Sequence, residues 1–218
     1  MLAIIDYGAG NIGSVQRACE ETGIRSVITP NPADLKKAER IIFPGVGAAP
    51  TAMENLTRTG LGEALKQAFL SGTPILGICL GAQVVLDRSE EGDTPCLGII
   101  TGTTVRFKLQ DKSLKIPHIG WNSVKVKQPH PLLAGIGAED EFYFVHSYYP
   151  QPAKLENIFA VSDYGGEFCC AVGNKNYFAV QFHPEKSGRF GLEMLLRFAK
   201  WDGSVPAKPG KKANKYAE

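Results

Sequence analysis

Short, continuous apolar runs alternate with segments of helical periodicity in the first part of this chain. The apolar runs occupy residues 2–6, 26–28, 40–43 and 74–78. Each run has the length of a buried strand. Between the last two runs, apolar residues recur at helical spacing at Leu61, Leu65, Ala68 and Phe69. Continuous apolar strands that alternate with helices predict an α/β fold, in which a mostly parallel sheet is covered by helices on both faces.

Polar and glycine-rich segments set the boundaries of these elements. Asn11 stands just before the apolar positions of the first helical segment, and we expect it to cap a helix from Ile12 to about Glu21. Thr22 and Gly23 should end that helix. The segment Pro44-Gly-Val-Gly47 should end the third strand, because proline and consecutive glycines favour a turn.

The second half of the chain has a different pattern. Residues 98–181 contain few helix signals, and the stretches 103–108 and 124–127 alternate between apolar and polar residues. We interpret this part as antiparallel additions to the same sheet. A last helix is predicted over 187–201, with a core face made of Phe190, Met194, Phe198 and Trp201.

Composition and charge fit one globular domain with a polar end. The 218 residues are 44% apolar and 21% charged, which argues against wholesale disorder or a coiled coil. We predict a single domain over residues 1–202 and a flexible, lysine-rich tail over residues 203–218. That tail holds four lysines and one acid, and without it the net charge falls from +2 to −1. A body with this charge is not expected to bind nucleic acid.

The cysteines and the first residues bear on localisation. No apolar run is long enough for a membrane helix, and the start of the sequence has no basic segment typical of a signal peptide. We therefore expect a cytoplasmic protein whose five cysteines are reduced. No Cys-x-x-Cys or His-x-x-x-His spacing is present, so we expect neither a metal site nor a cofactor.

One cysteine stands in a pattern typical of a nucleophile. Gly77-Ile-Cys79-Leu-Gly81 lies where a buried strand should meet a helix, and glycines allow the sharp turn that exposes the central side chain. The N-terminus of the following helix would favour the reactive thiolate. The alternative is a small, buried core cysteine, which is common in proteins. The turn pattern favours the nucleophile.

A candidate proton carrier follows a second strand. His183-Pro-Glu185 comes after the apolar run Tyr177–Phe182. Side chains two residues apart on an extended segment point the same way, so Glu185 can accept the Nδ1 proton of His183 and leave Nε2 for Cys79. The alternative is a surface turn with an incidental His and Glu. Together with the cysteine motif, these residues predict nucleophilic catalysis on an acyl group.

The chemistry also needs hydrogen-bond donors for an oxyanion. Val46 and Gly47 follow a strand at the same end of the predicted sheet, and backbone N–H groups exposed there could stabilise negative charge. The N–H of Leu80, just after the nucleophile, would be a second donor. An ordinary glycine-rich turn is the alternative interpretation of the segment around Val46 and Gly47.

At these motifs the sequence resembles class I (triad) glutamine amidotransferases. Residues 77–83 and 182–185 are similar to the nucleophile and His/Glu motifs of that family, in the same order and at a similar separation. Further segments resemble the glutaminase subunits of imidazole glycerol phosphate synthase in particular: 6–11, 44–47, 117–122, 146–149 and 183–187. The resemblance covers about residues 1–201 and excludes the lysine-rich tail. It implies the flavodoxin-like, single-domain α/β fold of the family.

The resemblance also implies roles for individual residues. Cys79, His183 and Glu185 would be the catalytic triad. The residues implied to bind glutamine are Gln83, His146, Ser147 and Tyr148, with Tyr149 ending that segment. The residues implied to face a partner are Asn11, Trp121, Asn122 and Lys186. A core indole is the alternative for Trp121. Ala82, and the lack of an aromatic residue near Gly47, depart from the family pattern.

The implied activity is hydrolysis of glutamine to glutamate and ammonia through a cysteine thioester. The implied partner is the (β/α)₈-barrel cyclase subunit, which uses the channelled ammonia to make imidazole glycerol phosphate and an aminoimidazole carboxamide ribonucleotide in histidine biosynthesis. Three alternatives stay open: a paralogous glutaminase that feeds another synthase, a stand-alone cysteine hydrolase, and a degenerate scaffold subunit.

Overall fold

The apolar runs of the sequence form the middle of an eight-stranded sheet in a computed structural model that describes residues 1–205. The strands are Leu2–Ile5 (β1), Ser26–Thr29 (β2), Arg40–Gly45 (β3), Ile75–Cys79 (β4), Arg88–Ser89 (β5), Thr94–Pro95 (β6), Gly102–Arg106 (β7), His118–Ser123 (β8), Lys125–Val126 (β9), Glu141–His146 (β10), Tyr148–Pro152 (β11), Ile158–Asp163 (β12), Glu167–Asn174 (β13) and Tyr177–Val180 (β14). The helices are Ile12–Glu21 (α1), Pro32–Leu35 (α2), Ala49–Thr59 (α3), Leu61–Leu70 (α4), Leu80–Gln83 (α5) and Gly188–Lys200 (α6). Most of the predicted tail, residues 206–218, lies outside the described residues.

The main sheet is mixed, with its parallel strands on one side. Its strand order is β2-β1-β3-β4-β14-β13-β12-β9. Neighbours from β2 to β14 pair in parallel, and the remaining pairs are antiparallel. This confirms the predicted α/β architecture. The carboxyl ends of β3, β4 and β14 therefore lie side by side, which is where the candidate chemistry of the sequence is found.

The prediction that all the antiparallel strands join this sheet is wrong. Strands β8 and β10 form a separate two-stranded ribbon, and β11, β7, β5 and β6 form a separate four-stranded sheet. Within residues 1–205, only β9, β12 and β13 extend the main sheet in antiparallel fashion. Alternation of apolar and polar residues identifies a strand with one buried face, but it does not identify the sheet that the strand joins.

Two apolar layers cover the two faces of the main sheet. Successive residues of β1 point to opposite faces, so Ile4 packs in one layer and Ile5 in the other. The first layer includes apolar residues of α1 and α6, and the second includes those of α3 and α4. Burying one such isoleucine side chain contributes about 1.5–3 kcal/mol to folding, so these layers hold the central strands firmly in place.

Several local expectations need correction. Asn11 precedes α1 but makes no side-chain capping bond, because its backbone is left-handed (φ 74°) and its amide reaches elsewhere. The third strand continues through Pro44 to Gly45, which pair with Ile78 and Cys79 of β4. The helical segment between β3 and β4 is divided into α3 and α4 at Gly60, whose backbone is left-handed (φ 73°).

The helix after Cys79 is also shorter than expected. It is a single turn, so its dipole is small.

Among residues 1–205, we find no helix that is both long and apolar enough to cross a membrane.

Candidate active site

Cys79 lies at the sharp turn between β4 and α5. Its backbone has φ 53° and ψ −99°, a strained conformation for a residue with a side chain. A Cβ on Gly77 would lie 2.8 Å from the Cβ of Ala179, and one on Gly81 would overlap the carbonyl oxygen of Phe43. Both glycines are thus required by close approach of neighbouring strands. Tight packing on both sides holds Cys79 in this turn.

His183 and Glu185 follow β14, the strand beside β4. Val180 pairs with Ile78, so the chain after β14 passes next to Cys79. Nδ1 of His183 lies 2.7 Å from Oε1 of Glu185, and both side chains are fully buried. Within residues 1–205, Nε2 of His183 has no hydrogen-bond partner. The ring is therefore oriented by the carboxylate, and its second nitrogen is left unpaired.

The charge state of His183 is set by its neighbours. Burial alone would lower the pKa of the imidazole. The Cys79 sulfur, and after it the Glu185 carboxylate, outweigh burial and raise the pKa of His183 to about 10. At neutral pH the buried ring of His183, between the sulfur of Cys79 and the carboxyl group of Glu185, is therefore protonated.

Asn11 is a member of this cluster that the sequence did not place there. Its Nδ2 donates a hydrogen bond to Oε1 of Glu185, the same oxygen that bonds His183. The other carboxylate oxygen of Glu185 is buried without a partner among the residues described. No sequence signal linked Asn11 with Glu185, because their contact joins residues at opposite ends of the chain.

Most of the predicted glutamine-binding and oxyanion residues surround one cavity of about 200 Å³. It is lined by Gly47, Cys79, Leu80, Gln83, Glu91, Pro117, Val145, His146, Ser147 and Tyr148. Val46 is not part of the lining, and its side chain lies beside Gly10. A volume of this size suits a small amino acid better than a peptide or a nucleotide.

A chain of amides connects the sulfur to the wall of the cavity. Nε2 of Gln181 lies 3.6 Å from Sγ of Cys79. Nε2 of Gln83 donates to Oε1 of Gln181 at 3.2 Å and to the carbonyl oxygen of Tyr148 at 2.9 Å. Sequence reasoning missed Gln181, although it lies two residues before His183 near the end of the same strand. Polar residues at that spacing could have indicated it.

Glu91 is a second lining residue that the sequence did not indicate. Its carboxylate accepts a hydrogen bond of 2.7 Å from the backbone N–H of Ala49, at the start of α3. It therefore fixes the segment that follows Gly47 against the cavity. Ala82, which departs from the family pattern, is fully buried and is not part of the lining.

Of the four residues predicted to face a partner, Trp121 and Asn122 lie on β8, Asn11 precedes α1 and Lys186 follows β14. Trp121 is 53% exposed, so the alternative of a core indole is excluded. Its ring packs edge-on against Tyr143, and Nζ of the exposed Lys186 lies 5.8 Å from the centre of that same ring. Asn122 instead turns its amide inward, to the carbonyl oxygen of Asp163.

Comparisons with known proteins agree with this geometry. The family described as "Glutamine amidotransferase class-I" matches residues 3–200. A protein of Nitratidesulfovibrio vulgaris (strain Miyazaki F), named "Imidazole glycerol phosphate synthase subunit HisH", is 50% identical over 91% of this chain and 95% of its own. The protein of the same name from Aromatoleum aromaticum is 48% identical over 92% of this chain and 98% of its own.

Solved structures share the fold at lower sequence identity. The structure titled "Structure of PurLQS from Thermotoga maritima" has a TM-score of 0.71 and 18% identity, and it covers 91% of this chain and 97% of that chain. The structure titled "Crystal structure of glutamine amidotransferase" has a TM-score of 0.68 and 19% identity, with coverage of 91% and 99%. With the match over residues 3–200, the resemblance stated from the motifs is confirmed: the chain belongs to the class I glutamine amidotransferase family.

Proposed function

We propose that this chain is the glutaminase subunit of imidazole glycerol phosphate synthase, and that Cys79, His183 and Glu185 are its catalytic triad. One observation carries the proposal. A cysteine in a strained turn lines a small cavity, next to a buried histidine whose far nitrogen is held by a carboxylate. The relatives at 46–50% identity over more than nine-tenths of the chain specify which synthase the subunit serves.

The reaction begins with the thiolate of Cys79. It attacks the side-chain amide carbon of glutamine and forms a tetrahedral intermediate. The imidazolium of His183 gives its Nε2 proton to the amide nitrogen, the carbon–nitrogen bond breaks, and ammonia leaves. Water then donates a proton to Nε2 as it attacks the thioester, and glutamate and the thiolate are released. Glu185 holds the ring in the orientation that both steps need.

Backbone groups stabilise the intermediate. The N–H of Leu80 is the first donor, and the segment of Val46 and Gly47 supplies the second. Gly45 pairs with Cys79 across β3 and β4, so this segment continues beside the nucleophile. Gly47 itself has φ 99°, which leaves its peptide free to adopt orientations closed to other residues.

The cavity walls bind the substrate. Gln83 and the segment from His146 to Tyr148 line the cavity side by side, because Nε2 of Gln83 bonds the carbonyl oxygen of Tyr148. The main chain of Ser147 and Tyr148 and their polar side chains suit the charged amino-acid end of glutamine. This leaves the side-chain amide of the substrate at Cys79.

The ammonia is used by a (β/α)₈-barrel cyclase subunit docked on the face that carries Asn11, Trp121, Asn122 and Lys186. Near pH 7, ammonia in water is mostly protonated and not nucleophilic, so a closed passage to the second active site has a chemical advantage. The reaction takes place in the cytoplasm, where a reducing environment keeps Cys79 from forming a disulfide.

Replacement of Cys79 tests the proposal in the complex with the barrel subunit. Cys79→Ala should abolish synthesis that depends on glutamine and leave synthesis from added ammonium salts intact, as measured by formation of imidazole glycerol phosphate. The control is Cys19→Ala, which removes a buried cysteine of α1 remote from the site.

Other outcomes would favour the alternatives. Unchanged glutamine use by Cys79→Ala would end the catalytic claim. Rapid turnover of small esters or peptides by the purified chain, without stimulation by any synthase, would indicate a stand-alone cysteine hydrolase. A verified complex that makes no imidazole glycerol phosphate from glutamine would point to a paralogue that feeds another synthase.

A further inference from the structure

Two buried histidines face each other at the wall of the cavity. His118 of β8 and His146 of β10 occupy paired positions of the two-stranded ribbon. Nδ1 of His118 lies 3.2 Å from Nε2 of His146, and the two residues are only 3% and 5% exposed. His146 lines the cavity, whereas His118 does not. The proposed reaction gives His118 no role.

The surrounding acceptors fix where the protons lie. Nδ1 of His146 lies 2.8 Å from the carbonyl oxygen of Tyr148, which can only accept, so this nitrogen carries hydrogen. Burial lowers the pKa of His146 to about 3, so its Nε2 is an unprotonated acceptor at neutral pH. Nδ1 of His118 must then be the donor between the rings.

The proton positions on His118 follow in the same way, from its pKa and from its contact with Asn122. Burial lowers the pKa of His118 to about 4, so its Nε2 is also an acceptor. Nδ2 of Asn122 lies 3.4 Å from it and also donates to the carbonyl oxygen of Asp163 at 2.8 Å. Each ring therefore donates through Nδ1 and accepts through Nε2, and the hydrogen bonds run in one direction from Asn122 to Tyr148.

We call this series of hydrogen bonds, from Asn122 through His118 and His146 to Tyr148, the histidine relay. At Tyr148 it meets the glutamine amides that lead to Cys79. The carbonyl oxygen of Tyr148 accepts from His146 and also from Nε2 of Gln83. Gln83 bonds Gln181, whose Nε2 lies 3.6 Å from the sulfur of Cys79. One peptide group thus joins the two sets of bonds, and its position sets the distance between the cavity wall and the nucleophile.

We propose that His118 is a positioning residue of the glutaminase site, which acts through His146 to hold the Tyr148 peptide in place for glutamine binding. The inference rests on the proposed function, because it assigns glutamine to this cavity. A purely structural role is the competing explanation, since the ring of His118 also stacks on Tyr164 with centroids 4.0 Å apart.

The first test reads the protons directly and needs no activity. Long-range ¹H–¹⁵N spectra of the histidine-labelled chain should show both His118 and His146 neutral at pH 7 and both protonated at Nδ1 rather than Nε2. Free histidine prefers hydrogen on Nε2, so this result is specific to the relay. Hydrogen on Nε2 of either ring would overturn the proposal.

The second test separates the hydrogen bond from the packing, with glutamine kinetics measured in the complex. His118→Phe keeps a ring for the stack on Tyr164 but removes the donor. We expect its KM for glutamine to rise about tenfold, the effect of losing one buried hydrogen bond, with kcat within about twofold. His118→Asn places an amide donor near the position of Nδ1 and should restore most of the loss.

The matched control is His130→Phe. His130 is also buried, and it stacks on Phe178 with centroids 3.9 Å apart, but it lies outside the cavity. Its replacement should leave KM unchanged. An unchanged KM in His118→Phe, or no rescue by His118→Asn, would contradict the positioning role. A wild-type complex without glutamine turnover would instead refute the proposed function, and the spectra would still decide the relay.

Discussion

At the scale of single residues, the imidazole of His183 is held in its charged form by its neighbours. Burial favours the neutral ring, yet the pKa rises to about 10 because the Cys79 sulfur and the Glu185 carboxyl group lie on either side of it. This value lies above the 6.5 of an unperturbed histidine. The protonated ring therefore stabilises the fold fully below about pH 6.5, and this contribution is lost as the pH rises through about 10.

Glu185→Gln removes the carboxyl group that bonds Nδ1 of His183. The midpoint of the His183 titration should fall by about one unit or more, followed by ¹⁵N shifts of the ring. In the complex, kcat for glutamine should fall by about two orders of magnitude, because the ring loses its orienting partner. Glu193→Gln, which affects only a pair with Arg197 on α6, is the control. An unshifted midpoint would show that Glu185 does not set the charge of His183.

Asn11 offers a second test at this scale, because the contribution of its backbone conformation can be separated from that of its side-chain amide. Asn11→Gly keeps the left-handed conformation at φ 74° and removes only the amide that bonds Glu185. We expect little change in the urea midpoint and about a tenfold loss of kcat for glutamine, the effect of one hydrogen bond to a charged group. Unchanged kcat would restrict Asn11 to a role in docking.

At the scale of elements, the turn after β4 depends on contact between neighbouring strands. Gly81→Ala would force a Cβ into the carbonyl oxygen of Phe43, so we expect the free energy of unfolding to fall by about 3 kcal/mol. Gly72→Ala is the control, because there a Cβ meets no atom within 4 Å and only the positive φ of 82° opposes it. Urea unfolding should show the smaller loss, about 1–2 kcal/mol, for Gly72→Ala.

The sequence predicted well what depends on local chemistry. The runs of β1 and β4 and the core face of α6 follow from apolar spacing, and the turn at Cys79 follows from its flanking glycines. Sequence reasoning failed where the structure depends on contacts between segments that are distant along the chain. The separate ribbon of β8 and β10, and the bond between Asn11 and Glu185, depend on tertiary contacts that spacing does not contain. The catalytic and binding roles themselves stay predictions until the variants are measured.

At the scale of the whole molecule, the buried pair of His183 and Glu185 lies close to an exposed apolar patch. Ile119 and Trp121 are 59% and 53% exposed, and they lie two residues apart on one face of β8. Tyr143 of β10 and Lys186, the residue after Glu185, complete the patch. An exposed tryptophan packed against a tyrosine is typical of the energetic centre of a protein interface. A partner bound here would cover the region that contains His183 and Glu185.

Trp121→Ala tests this patch as a docking surface. Because the indole is half exposed, its removal should leave the thermal midpoint of the isolated chain nearly unchanged. Loss of a central aromatic anchor costs about 2 kcal/mol or more, so the Kd for the barrel subunit should rise at least about thirtyfold in calorimetric titration. Leu155→Ala removes an even more exposed apolar side chain beside a different strand, β12, and should leave the Kd unchanged. If both variants weaken binding equally, the exposure of an apolar side chain, rather than its place in this patch, governs association. An unchanged Kd for Trp121→Ala would place the docking surface on another face.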